Sequence, residues 1–283
     1  MNNPQSIEIR RIAAFSDGDS GGNPAGVSIT DVLSDAALMQ RIAAEVGFSE
    51  IAFAAPIDGG WRVRYFSPES EVPFCGHATI ALGAALVLDH GDGVFALTLN
   101  EANITVEGRR DGKAIIAALQ SPPTQSAAAA PQLVMDALSL FGYAHTELDP
   151  NIPPALAHAG ATHLVLALRT RKALSAMAYE MDAGRALMNR AGLITIVLAY
   201  AETQQRFHTR NPFASGGVYE DPATGAGTAA LAGYLRDIGW PHGGMIDVVQ
   251  GEDMGSRSLL RAELSPIVGS SIRVSGTARV MNR

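Results

Sequence analysis

Apolar residues recur along this chain with two periods, and their succession outlines its elements. From Ser34 to Gly47, Leu38, Ile42 and Val46 return every four residues, the spacing of one helix face. Ser34 is placed to cap the first turn, and Gly47 to end the last in the left-handed conformation. Alternation takes over in "EIAFAAPI" and "WRVRYFS", which read as strands, as do "IEIRRIAAF" before them and "FALTL", "ITVEG" and "KAIIAAL" after. Thr79 to Asp89 is alanine- and leucine-rich on every side, the mark of a buried helix.

The second half repeats this style. "PQLVMDALSLFG", "RKALSAMAYEMDAGRALMNRAG" and "GAGTAALAGYLRDIG" are helical, and "THLVLAL", "LITIVLAY", "FHTRNPF", "MIDVVQG", "SLLRAEL" and "SIRVSGTARVM" are strands. Between the halves, "SPPTQSAAAAPQ" (121–132) has paired prolines and small residues, the composition of a linker. The pattern predicts an α+β protein of two domains, 1–120 and 133–283, joined by 121–132. A faint repeat links them. Arg64 stands eleven residues before Cys75, and Arg210 eleven before Asp221, each between a strand and a small-residue helix; the helices then agree only after a slip of about three residues.

Composition narrows the partners. A hydrophobic fraction of 47% and a charged fraction of 17% over 283 residues fit an ordinary globular protein. The formal charge is −7 with no run of Lys or Arg, which argues against nucleic acid and leaves a small polar or anionic substrate open. The single cysteine rules out an internal disulfide, as fits a reducing compartment. "MNNPQSIEIRR" lacks the basic-then-apolar order of a secretory leader, and no apolar run reaches a membrane span. The expected location is cytoplasmic, with no membrane partner.

Two glycine-rich turns open helices, "CGHAT" and "DPATGAG". Free backbone N–H groups and the positive helix end make such turns anion sites; they also serve simply as tight strand-to-helix turns. Glu50, in "GFSEIAF", stands between the helix-ending glycine and an apolar strand. A carboxylate there is either partly desolvated, and so tuned for proton transfer, or an ordinary solvated loop acid. Metal binding is not expected. No two of the seven histidines have i, i+4 spacing, and His77 beside Cys75 has no evident further ligands.

"GGNPAGV", "GFSEIAF", "YFSPESEVPFCGHATIALGAAL" and "GGVYEDPATGAGTAALAGYL", in that order, together resemble the PhzF-like family of phenazine-biosynthesis isomerases, of the diaminopimelate epimerase-like fold. "VQGEDMGSRSLLRAEL" resembles that family's C-terminal strand pair. The resemblance implies two similar domains, each a mostly antiparallel sheet wrapped around a central helix, with the final strand (271–282) able to return to the first domain. Related epimerases use one thiol from each domain. Here the position matched to the second is Asp221, so with one cysteine the two-thiol mechanism is excluded by counting.

The resemblance implies instead that Glu50 moves the proton, that His77 and Asp221 flank the substrate, and that Asn23, Gly76, Gly225 and Ala226 bind it, its carboxylate held by backbone N–H groups. No cofactor is implied, and a homodimer is the family habit. The chain departs from the family at Ala226, where a serine is usual, and in "RNPFASGG". The expected activity is a cofactor-independent isomerisation of a small carboxylate-bearing metabolite; the alternative is a protein that keeps the fold and binds without turnover.

Overall fold

The computed structural model describes residues 7–112 and 114–281; part of the N-terminal stretch read above for a leader, 1–6, lies outside them. The first part of the chain runs β1 (Arg10–Ala14), β2 (Asn23–Ile29), α1 (Ala36–Val46), β3 (Ile51–Ile57), β4 (Gly60–Phe66), β5 (Glu71–Val72), α2 (Gly76–His90), β6 (Gly93–Thr98), β7 (Asn103–Asp111) and β8 (Ala114–Gln120). There follow β9 (Gln125–Ala128), α3 (Pro131–Phe141), β10 (Ala155–His158), β11 (Thr162–Ala167), α4 (Arg171–Ser175), α5 (Met181–Ala191), β12 (Thr195–Ala201), β13 (Arg206–Phe213), β14 (Val218–Asp221), α6 (Gly225–Asp237), β15 (Met245–Gln250), β16 (Ser258–Glu263) and β17 (Arg273–Val280). Contacts gather these into two compact units: 7–19, Asn23–Leu119 and 275–281 in the first, and Ser20–Gly22 with Gln120–Val274 in the second.

In the first unit the strands form a closed ring. β17, β1, β2, β3, β4, β6, β7 and β8 are hydrogen-bonded in that order, and β8 in turn pairs with β17. Helix α2 runs inside, against β1, β2, β3, β6 and β7. Every residue from His77 to Val87 is buried, which is why this helix shows no polar face. It begins at Gly76, three residues before the sequence pattern indicated, because small residues at its start give no periodic signal. Its fit is close: a Cβ on Gly83 would lie 2.6 Å from Val106 Cγ2 on β7.

Helix α1 packs outside the ring, where Met39 and Ala43 meet Ile51, Phe53 and Phe66. Gly47 ends it at φ 72°, as the sequence indicates, but the cap at its start is Asp35, whose carboxylate accepts from the Leu38 N–H, and not Ser34.

The second unit repeats the strand order. The steps β10–β11 antiparallel, β11–β12 parallel, β12–β13 antiparallel, β13–β15 parallel and β15–β16 antiparallel match the run from β1 to β7. Helix α6 plays the part of α2, packed against β9 to β12 and β15 and β16. The stretch 121–132 is no free connector. Gln125–Ala128 pair antiparallel with β10, and a Cβ on Gly233 of α6 would lie 2.7 Å from Thr124. The alanines that suggested a linker are small residues on a strand at the edge of a packed helix.

The slip in the repeat has a simple cause. Arg64 on β4 grips Glu71 on β5 through Nε and Nη2, at 2.7 and 2.5 Å. Arg210 on β13 grips Glu220 on β14 in the same two-pronged way, at 3.0 and 2.5 Å. Tyr65 pairs with Val72 and Phe66 with Glu71, as Asn211 pairs with Asp221 and Pro212 with Glu220. The second hairpin carries a three-residue turn of 3-10 helix, Ala214–Gly216, and that turn accounts for the three-residue slip. The structural counterpart of Cys75, the residue before α2, is therefore Thr224, the residue before α6; matching Asp221 to it, as sequence spacing did, is corrected. Thr224 bears no thiol, so the count that excludes a two-thiol mechanism is unaffected.

Candidate active site

The first unit gathers Glu50, Cys75 and His77. Glu50 directly precedes β3, and its backbone is fixed by the ring, the Gly26 N–H of β2 donating to its carbonyl at 3.2 Å. Cys75 is the extended residue before α2, and His77 lies in the first turn of that helix. A buried brace holds this turn: Thr79 Oγ1 donates to the Cys75 carbonyl at 2.7 Å and is itself 2.7 Å from the Tyr65 hydroxyl. Burial pushes the Tyr65 phenol well above its ordinary value, so it stays protonated as part of the brace.

These positions bring Glu50 Oε2 to 3.4 Å from His77 Nε2, with side chains only 14% and 8% exposed. The Ser49 hydroxyl lies 3.2 Å from the same ring nitrogen, and Cys75 Sγ lies 3.4 Å from Nδ1 and 4.0 Å from Nε2. Carboxylate, imidazole and thiol thus cluster at the start of α2. Among the described residues no side chain caps that helix start, so its first-turn N–H groups, Gly76 among them, keep their capacity for an anion. A carboxylate held against an imidazole, little exposed, beside such an anion site is equipped to take a proton from a bound acid and return it. Asn23 is buried at the start of β2, opposite Ala14.

Asp221, Gly225 and Ala226 belong to the second unit, at the end of β14 and the start of α6. Asp221 Oδ2 accepts from the Thr224 hydroxyl at 2.5 Å. Gln250, wholly buried at the end of β15, organises this turn. Its amide donates to the Asp221 carbonyl and the Thr224 hydroxyl, at 2.7 and 2.9 Å, while its oxygen accepts from the Thr224 N–H at 3.1 Å. Here too, among the described residues, no side chain caps the helix. Ala226 in the first turn brings no polar group. Asn211 lies against this turn, its Nδ2 2.9 Å from where a Cβ on Gly227 would be, so a larger residue there would displace the Asn211 amide.

Sequence reasoning named Glu50, His77, Asp221 and the glycines but missed Ser49 and Gln250. The lone amide ending the apolar run "MIDVV" was the available signal for Gln250. Ser49 gave none, being one hydroxyl in a loop.

The strand order around a central helix, repeated once, and the Glu50–His77 pair can be set beside known proteins. The family model described as phenazine biosynthesis-like protein matches residues 12–283. A trans-2,3-dihydro-3-hydroxyanthranilate isomerase of Pseudomonas aeruginosa is 33% identical over 276 residues, 94% of each chain. An uncharacterized isomerase of Mesorhizobium japonicum is 31% identical over 278 residues, 91% of each. Among solved structures, a PhzF family phenazine biosynthesis protein of Bacillus anthracis superposes with a TM-score of 0.85 at 20% identity, over 98% of this chain and 97% of that one, which speaks for the fold. With a match across nearly its whole length and isomerases among its relatives, this chain belongs to the phenazine biosynthesis-like PhzC-PhzF family.

Proposed function

We propose that this isomerase moves a proton within a small, carboxylate-bearing metabolite, with Glu50 as its general acid and base. The observation that carries the reading is the enclosed Glu50–His77 pair, 3.4 Å apart, beside the uncapped start of α2. Glu50 takes a proton from one carbon of the substrate and returns it to another, shifting the double bonds toward an enol that becomes a ketone. The substrate's own conjugation spreads the developing charge, so the proposed step calls on no cofactor. His77 holds the carboxylate in place from Nε2, and the Ser49 hydroxyl fixes the ring. The N–H groups around Gly76 bind the substrate carboxylate, and Asn23 positions its polar groups.

The relatives' name supplies the first compound to try, trans-2,3-dihydro-3-hydroxyanthranilate. Incubation in deuterated water, followed by mass spectrometry and NMR, reads the proton transfer directly. Glu50→Gln keeps the shape of the side chain and removes the base, so turnover falls by about 10²-fold or more while ligand binding survives. Undiminished turnover in that variant overturns the role given to Glu50.

A further inference from the structure

We infer that Glu50, Cys75 and His77 form a binding site for a thiophilic divalent cation, Zn(II) being the type. Three donors of different kinds, a carboxylate oxygen, a thiolate sulfur and an imidazole nitrogen, each offer one atom within 4.8 Å of the others. They are the three ligand kinds that zinc takes. A tetrahedral ion with bonds of about 2.0–2.3 Å sets its donors about 3.3–3.6 Å apart. Around His77 Nε2 the structure has Glu50 Oε2 at 3.4 Å, already at ligand spacing; Cys75 Sγ, 4.0 Å from Nε2 and 3.4 Å from Nδ1, reaches the ion by turning about its Cα–Cβ bond toward Nε2.

The charges balance as well. A helix start repels a cation but favours a thiolate. Thiolate and carboxylate together carry two negative charges against the two positive charges of the ion. Binding releases the thiol proton to solvent as the sulfur–metal bond forms. The Ser49 hydroxyl, 3.2 Å from His77 Nε2, gives up that nitrogen to the metal. Three protein ligands leave the fourth position open to water or an added ligand. The third ligand was hidden in the sequence because it comes from the loop before β3 and not from the Cys75 turn.

Occupancy ties up Glu50, so on the reading of Glu50 as the base, which this consequence rests upon, zinc is a reversible inhibitor. The test titrates the metal-freed enzyme with cobalt(II) chloride and then zinc chloride. Cobalt gives a thiolate-to-metal charge-transfer band in the near ultraviolet, and Cys75, the one cysteine of the chain, is its only possible source. Zinc displaces the band; Cys75→Ser abolishes it; Glu50→Gln and His77→Gln each weaken cobalt binding at least about tenfold. Absence of the band in the wild type overturns the site, and so does a band whose affinity neither Glu50→Gln nor His77→Gln alters, since the thiol then binds alone. Turnover measured in the same titration separates the two ideas. A zinc-filled site with full turnover upholds the metal site and retires Glu50 as the base.

Discussion

His163 on β11 is wholly buried, its Nδ1 2.7 Å from the Thr195 hydroxyl and its Nε2 without a hydrogen-bond partner among the described residues. Burial, helped by nearby His158, pushes its pKa down from 6.5 to about 3. The folded value lies below the unfolded one, so the unfolded chain takes up the proton first. The stability this group supports is complete above pH 6.5 and is lost as the pH falls from there toward 3. At pH 5 the unfolded imidazole is protonated about 30-fold over its neutral form while the folded one stays neutral, so about 2 kcal/mol is lost. That figure holds for any folded value below about 4, because the unfolded chain sets it.

Urea unfolding between pH 5 and 7.5 measures the loss, with Trp61→Phe leaving Trp240 of the second unit as the only indole reporter. The comparison is His163→Asn, which keeps a polar group toward Thr195. Its smaller volume lowers stability at every pH alike, and the other titrating groups cancel between the two proteins. Wild type loses about 2 kcal/mol more than the variant over this range. Parallel pH profiles would refute the reasoning.

Two further substitutions test the architecture. Gly83→Ala forces a methyl against Val106 Cγ2, where the structure has 2.6 Å, and lowers stability by about 1–3 kcal/mol; an unchanged urea midpoint would show that α2 can shift within its ring. Arg210→Met leaves Glu220, 4% exposed, without its guanidinium and costs about 3–5 kcal/mol, while Arg210→Met with Glu220→Met recovers most of that loss. Thermal unfolding reads both, and a double variant as unstable as the single one would assign the clamp a packing role.

Periodicity made α1 legible, down to the glycine that ends it, because one face of that helix is buried and the other is not. Which residue caps its start turned on reach: Asp35 and Ser34 are both good caps, and only geometry puts the Asp35 carboxylate 2.8 Å from the Leu38 N–H. The start of α2 and the strand β9 were illegible for a shared reason, since alanine and glycine report neither period nor burial. The repeat was visible in Arg64 and Arg210, but its true register needed the turn Ala214–Gly216, whose insertion spacing alone cannot place. Glu50 and His77 were named separately through family resemblance. Their approach to 3.4 Å depends on how the loop before β3 lies against the start of α2, and no local pattern encodes that.

The ring around α2 also constrains the order of events at the ribosome. Its closing strand, β17, is made after the other strands of the ring and after all but the last two residues of the second unit. Until it emerges, β1 and β8 have bare edges, the kind that recruit strands from other chains. The first unit is therefore first to be synthesised and last to be completed. A chain cut short after β16 would carry Glu50, Cys75 and His77 in full, and would still lack the strand that shuts the wall around their helix.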